Sequence, residues 1–406
     1  MKALILSAST GGGHMSAANA IKEYLIFKGE SAIVIDAPEY ISHIMNKTVN
    51  ETYEYLATKQ PYLWKWMYKT SNRTIINKLV TDTNSLISRK LLPLIKEHKP
   101  DVIITTHPFT TEMISKLKSV GEVSQPLICV MTDYAPHRTW INKNVDAYIT
   151  ANEGMVNKMS AMGVDKLKIH PFGIPVKRSF FAKTNKQDFL KSIGLTDELP
   201  VVLIMAGNYG YGNVENIYRK LQMLETEFQI VIITGKNPKL YRHMLSVANG
   251  TQPEKSLWEL HFAKNLGKFK RFKIAKKLKS QSYEKKSENI KKTKVIYFTT
   301  EVNKYMQCAD LIITKPGGLT VSEALACNLP MVLFDPIPGQ EEENAEFLTE
   351  KNMAIIMNKD AENYHEIEHL LTSPEALNAM KKNCENFDKS KSLENIFNLA
   401  KELINE

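Results

Sequence analysis

Cysteine is scarce in this chain. Four residues in 406 (Cys129, Cys308, Cys327, Cys384) lie far apart, with no C-x-x-C pair. That spacing argues against a zinc site and against a disulfide framework, and fits reduced thiols in a cytosolic protein. Long hydrophobic runs are also missing. Nothing approaches the roughly 20 apolar residues a spanning helix needs, so any membrane contact has to be peripheral. The apolar stretch Met1–Ser9 is short and runs into Gly11-Gly12-Gly13-His14, where a signal peptide would carry its cleavage region. It reads as a first strand. No Lys-Ser/Thr follows those glycines and no G-x-G-x-x-G is formed, which excludes a Walker loop and the dinucleotide fingerprint. No Asp-x-Asp motif stands in a suitable loop, so no cofactor and no essential divalent metal is expected.

What is present has globular proportions, 43% hydrophobic and 24% charged, on a length that accommodates two domains. The formal charge of +9 is unevenly spread. Residues 255–294 hold 14 Lys and Arg against three acids, which leaves the rest of the chain slightly acidic. A near-neutral body with one basic segment does not suggest a nucleic-acid binder, whose positive charge would cover a face of the fold.

Apolar runs of strand length alternate with helical patterns. The first series is Ala3–Leu6, Ala32–Asp36, Val102–Thr105, Leu127–Val130 and Ala147–Thr150. The second is Val201–Met205, Gln229–Ile233, Val295–Phe298, Leu311–Ile313 and Met331–Phe334. Strands apolar along their whole length predict parallel sheets covered on both faces. A polar stretch around 174–200 separates the series. We expect a first domain over 1–178, a second over 179–385 with a basic insertion at about 255–292, and a C-terminal helix over 386–406 packing back towards the first domain.

Four loops follow strands, where open α/β sheets bind ligands. Ser9–His14 carries three glycines before a helix. His14, at that helix start, is expected to stay neutral under the helix dipole and to be able to act as a base. Met205–Gly212 (MAGNYGYG) suits a diphosphate. In Thr314–Leu325 (TKPGGLTVSEAL), Thr320 and Glu323 form a capping box on one reading; on the other, Glu323 holds a ribose diol. Pro336–Asn344 (PIPGQEEEN) offers Gln340 and Glu341 to sugar hydroxyls, or is simply an acidic helix start.

At these residues the chain resembles glycosyltransferase family 28, specifically the monogalactosyldiacylglycerol synthases and the processive diacylglycerol glucosyltransferases. The matching stretches are Ser9–His14 (STGGGH), Met131–Trp140 (MTDYAPHRTW), Leu203–Gly207 (LIMAG), Thr234–Asn237 (TGKN), Thr314–Ala324 (TKPGGLTVSEA) and Pro338–Ala345 (PGQEEENA). The resemblance implies an α/β chain of GT-B fold, two Rossmann-like domains facing across a cleft. It implies an inverting transfer from UDP-glucose or UDP-galactose to the hydroxyl of 1,2-diacylglycerol, adding one sugar or several, at the inner face of the cell membrane. His14 matches the family's base. Asp133 either orients His14, binds the acceptor, or is simply a turn acid at a strand end. The donor side is expected to comprise Gly207, Asn208, Gly210, Gly235, Phe298 (a backbone contact to uracil), Gly317, Gly318, Leu319, Thr320, Glu323, Gln340, Glu341 and Asn344. The acceptor side is expected to comprise Gly12, Gly13, His107 and His137. One departure is the segment between Asn237 and Val295, longer here than the short connection of the family.

Two aromatic segments concern the membrane. Tyr62-Leu63-Trp64-Lys65-Trp66-Met67-Tyr68 is either interfacial, through Trp64 and Trp66, or a core helix. In the insertion, Trp258, Phe262, Leu266, Phe269 and Phe272 recur at helical spacing amid lysines, the pattern of an amphipathic helix on an anionic surface, or else a solvated loop. Competing readings are a transferase of N-acetylglucosamine to lipid-linked peptidoglycan precursor and a non-catalytic UDP-sugar sensor.

Overall fold

A computed structural model describes residues 1–9, 12–42, 60, 62–63, 65–66, 70, 87–205, 207, 213–251, 290–357 and 364–406. Trp64, Asn208, Gly210 and the stripe Trp258–Phe272 lie outside the described residues.

The apolar runs become two six-stranded sheets in which every pairing is parallel. The first contains β1 (Lys2–Ser7), β2 (Ser31–Asp36), β3 (Val102–Thr105), β4 (Leu127–Val130), β5 (Ala147–Ile149) and β6 (Ile169–His170), in the order β2-β1-β3-β4-β5-β6. The second contains β7 (Val201–Met205), β8 (Gln229–Ile233), β9 (Thr293–Ile296), β10 (Leu311–Thr314), β11 (Met331–Leu333) and β12 (Ala354–Ile356), in the order β12-β11-β10-β7-β8-β9. Residues of β3, β4, β7 and β8 are buried throughout, because helices cover both faces. β6, two residues long, lacks an apolar run, whereas β12 lies in the apolar run Met353–Met357; both escaped the sequence reading.

In each sheet the chain leaves the first strand in one direction and later returns to its other side. The reversal falls between β1 and β3 in the first sheet and between β7 and β10 in the second. Loops diverge at such a point and open a crevice at the carboxyl ends of the strands. The glycine loops after β1, β7 and β10 all stand there.

The last helix, Ser392–Asn405, returns to the first sheet. Leu393, Ile396, Leu399 and Ala400 pack with Ile5, Ile104 and Val130, and Ser392 Oγ donates to the Gly173 carbonyl at 2.8 Å. The basic insertion ends before residue 292. Lys291 is already anchored, its Nζ donating to the Leu224 carbonyl at 2.6 Å and its backbone N–H to Gln222 Oε1 at 2.9 Å. β9 begins at Thr293 and stops at Ile296, so Phe298 sits in the following loop. No described helix is long and apolar enough to cross a membrane.

Candidate active site

His14 is the second residue of the helix Gly13–Phe27, whose cap, Gly12, has φ +82°. That left-handed turn at glycine brings the chain off β1 into a helix within a few residues. Ser9 N–H is tied to Asp36 Oδ2 at 3.1 Å, so the acid ending β2 anchors the loop. The His14 ring reaches across the crevice to the ends of β3 and β4. Its Nδ1 lies 2.8 Å from the Thr106 carbonyl and 2.9 Å from Thr132 Oγ1. A carbonyl only accepts, so Nδ1 carries the proton and Nε2 keeps its lone pair. Burial pushes the His14 pKa down to about 4, opposed by the Thr106 carbonyl. The sequence ascribed the neutral state to the helix dipole; desolvation is the main cause. Proton acceptance is therefore confined to one defined atom.

His107 stands edge-on to His14, ring centroids 4.6 Å apart, and burial holds its pKa well below the usual value. Its Nδ1 accepts from Phe109 N–H at 3.2 Å, capping the helix Pro108–Ser119. Trp140 lies 6.1 Å from the His14 ring. Asp133 does not orient His14; Thr106 and Thr132 do. The Asp133 carboxyl receives the Trp140 side chain instead, and burial, reinforced by Glu343 and Glu341, pushes its pKa up to about 7. His137 is also spent locally, since it caps the turn Arg138–Trp140, its Nδ1 accepting from Thr139 N–H at 3.3 Å.

On the facing domain, the helix Gly318–Ala326 starts after β10 with Gly317 as its cap. The start lies three residues earlier than a capping box on Thr320 requires. Thr320 is therefore in the first turn and Glu323 in the second, and no capping box forms. The Glu323 carboxyl makes no hydrogen bond to any described residue. Burial pushes its pKa up to about 8, with Lys177 pulling the other way. An unpartnered carboxylate in a cleft wall, beside free N–H groups at a helix start, suits a ribose diol and a diphosphate.

Glu341 is buried and its Oε2 accepts from Ile337 N–H at 2.7 Å. Its other oxygen would lie 3.8 Å from a Cβ at Gly317, so the third and fourth loops meet. Burial raises its pKa, against the pull of the Ile337 N–H and Lys315. Gln340 opens the helix Gln340–Glu350 beside it. Asn344 is not available to a donor. Its Oδ1 accepts from Tyr134 N–H at 2.8 Å and its amide donates to the Pro316 carbonyl at 2.9 Å, both buried. It locks the two domains together. Gly207 (φ +71°) and Gly235 (φ +65°) turn the chain at the ends of β7 and β8. Phe298, 45% exposed, follows β9 on the same edge with Lys236 Nζ 5.2 Å from its ring centre.

The domains touch at this crevice. A Cβ on Gly13 would stand 3.5 Å from Leu319 Cβ, and one on Gly318 would stand 1.9 Å from the Thr132 carbonyl oxygen. Tyr134 Oη lies 2.8 Å from Ser322 Oγ. Thr106, Thr132, Tyr134 and Ser322 escaped the sequence reading, because a threonine or tyrosine beyond a strand carries no signal of its partner. Tyr62 (89% exposed), Leu63 and Trp66 (62%) face solvent, so these three are not core residues. Lys65, in their midst, pairs with Glu342 of the facing domain at 2.8 Å.

Comparison with solved structures bears on the architecture. Acinetobacter baumannii MurG aligns with a TM-score of 0.59 at 14% identity, covering 99% of this chain and 100% of that one. The UDP co-structure of S. aureus MnaA aligns at 0.56 and 14%, covering 98% and 95%. Two parallel α/β domains with glycine loops at both reversal points are the GT-B fold. Residues 14–176 match the monogalactosyldiacylglycerol (MGDG) synthase model, and residues 244–403 match the glycosyltransferase family 28 C-terminal domain. A processive diacylglycerol beta-glucosyltransferase of Bacillus pumilus is 30% identical over 387 residues, 94% of this chain and 90% of the relative. One from Bacillus subtilis is 28% identical over 398 residues, 97% and 93%. The chain belongs to glycosyltransferase family 28, in the group of MGDG synthases and processive diacylglycerol beta-glucosyltransferases.

Proposed function

We propose that the protein transfers a hexose from a UDP-sugar to the hydroxyl of a 1,2-diacylglycerol, with inversion, giving a β-glycosyldiacylglycerol. The observation that carries this reading is the neutral His14, its Nε2 unspent, held where the start of the helix Gly318–Ala326 meets the first domain. The names of the relatives support the acceptor class.

The acceptor hydroxyl gives its proton to His14 Nε2 as its oxygen attacks the anomeric carbon from the face opposite UDP. The C1–O bond to the β-phosphate breaks and its electron pair leaves with the diphosphate. Backbone N–H groups at Gly318, Leu319 and Thr320, with the turns at Gly207 and Gly235, stabilise that charge without protonating it. A base of pKa about 4 is weak by itself. The negative charge of the bound diphosphate favours the protonated imidazole and so raises the basicity of His14 when the donor is in place. Glu323 accepts the ribose hydroxyls, and Gln340 and Glu341 accept or bridge the hexose hydroxyls. Asp133 binds an acceptor hydroxyl.

The exposed Tyr62, Leu63 and Trp66 form an apolar tip that suits a lipid boundary, and Lys65 ties it to the donor domain. In this reading the enzyme works on the cytoplasmic face, assisted by the basic insertion on anionic lipid. No metal takes part, because the helix-start N–H groups carry the diphosphate.

The test is turnover of UDP-glucose and UDP-galactose on diacylglycerol vesicles, with and without EDTA, with mass spectrometry of the lipid products. Glycosyldiacylglycerol formed at an unchanged rate in EDTA is the expected result. UDP-sugar binding with no lipid product would defeat the reading, and loss of activity in EDTA would defeat its metal-free part. The product masses count the sugars added, and the preferred donor names the hexose.

A further inference from the structure

We infer that Thr132 is a positioning residue for His14, and that the donor domain holds Thr132 in place through Gly318. The inference rests on the reading of His14 as the base.

Two groups fix the His14 ring, and they come from differently anchored parts of the molecule. Thr106 follows β3 directly, and its own N–H bonds to the Leu6 carbonyl at 3.1 Å, so it is part of the first sheet. Thr132 lies in the loop after β4. That loop is held to the first sheet at Met131, whose N–H bonds to the Ile149 carbonyl at 2.9 Å. Three residues later it is held by the facing domain, through Tyr134 N–H on Asn344 Oδ1 and Tyr134 Oη on Ser322 Oγ, both at 2.8 Å. Between these anchors the Thr132 carbonyl is covered by Gly318, at a contact so close that a Cβ there would sit 1.9 Å from the oxygen. Gly318 is the first residue of the helix read as the diphosphate cradle.

The geometry sets what Thr132 does. With the Nδ1 proton directed at the Thr106 carbonyl, Thr132 Oγ1, at 2.9 Å, is a second acceptor for it. One acceptor leaves the ring free to swing about that bond; two, one beyond β3 and one beyond β4, fix its plane and so the aim of Nε2. Gly318 lies on the Thr132 peptide, so the donor domain backs one of the two acceptors that aim the base.

The experiment uses the full chain with UDP-sugar and diacylglycerol vesicles, and calorimetry for UDP. Thr132→Val should lower kcat by about ten- to hundredfold, the scale of a misplaced catalytic group, with the Kd for UDP unchanged. Thr132→Ser should restore most of it. In a His14→Ala background the Val substitution should cost nothing further, because there is no ring left to aim. Wild-type kcat in Thr132→Val, or a loss of the same size with and without His14, overturns the positioning role while leaving the base assignment intact. Normal turnover by His14→Ala alone overturns the base assignment, and the inference with it. Gly318→Ala should lower kcat and abolish the coupling between residues 132 and 14; because Gly318 also opens the diphosphate cradle, UDP affinity should fall too, but by less than kcat. An unchanged kcat, or a loss of UDP affinity equal to the loss of kcat, overturns the part assigned to Gly318.

Discussion

Glu323 lends itself to a test in which pH is the variable. Its carboxyl lacks a hydrogen-bond partner among the described residues, and burial puts its pKa at about 8, against the pull of Lys177. Two ribose hydroxyls need two acceptors, which the ionised carboxylate provides and the protonated acid does not. Binding UDP therefore draws the pKa down towards the ordinary carboxylate range. The sign follows. Above about pH 8 the free protein is already ionised and affinity is level. Below it a proton must leave before binding, so affinity falls about tenfold per unit, or about a hundredfold by pH 6. Replacing Glu323 with Gln removes a charge-assisted bond worth about 1.5–3 kcal/mol, a ten- to hundredfold loss at pH 9. The variant has no carboxyl to titrate, so its curve is flatter and meets the wild-type curve near pH 6. Calorimetry with UDP from pH 6 to 9 measures both. Repeating it in buffers of different ionisation enthalpy counts the proton released, approaching one per UDP below pH 8 in wild type. The terminal phosphate of UDP titrates near pH 6 in both proteins, so the difference between them isolates the residue. Parallel wild-type and Glu323→Gln curves, or equal proton release, would refute the assignment of ribose to Glu323. Weakening of UDP-sugar but not UDP would move Glu323 to the hexose.

Three further predictions follow from other parts of the molecule. His14→Ala should lower kcat by about 10²–10⁴ with little change in UDP affinity, since a base acts in the transition state; steady-state kinetics beside UDP titration checks this. Asn344→Ala leaves Tyr134 N–H and the Pro316 carbonyl buried without partners, and should cost about 2–4 kcal/mol in urea unfolding; a loss under 1 kcal/mol would show that the domains do not depend on this bridge. Deleting residues 255–289, a cut that spares the anchored Lys291, should sharply reduce sedimentation with anionic vesicles at low salt. Turnover of a short-chain, soluble diacylglycerol should be kept, and the intact protein should leave vesicles as salt rises. Equal vesicle binding by both forms would move the membrane contact to the tip at Tyr62–Trp66.

The aromatic segment 62–68 also illustrates what composition can and cannot say. An aromatic run with one lysine fits a core helix as well as an interface, and only the exposure of Tyr62, Leu63 and Trp66 distinguishes them. The apolar stripe of the insertion poses the same question and lies outside the described residues.

By itself the sequence determined the class of fold, the strands of both sheets except β6 and β12, and the loops that carry chemistry. These are local properties. A strand buried on both faces has to be apolar throughout, and a chain turning off a strand into a helix beside a ligand needs glycine. The places of His14, Glu323 and Glu341 after strand ends were legible for that reason. The tertiary structure decided what each of them touches. The order β2-β1-β3 puts Thr106 beside His14, 92 residues away, and so selects the tautomer. The closeness of the domains gives Gly318, expected to face a ligand, a contact on Thr132 as well. It also takes Asn344 from the donor to a backbone bridge. Asp133 went to Trp140 rather than to His14, and the earlier start of the helix at Gly318 dissolved the capping box. Hydrogen bonds between residues distant in sequence depend on angles and distances of a few tenths of an ångström, which no residue type encodes alone.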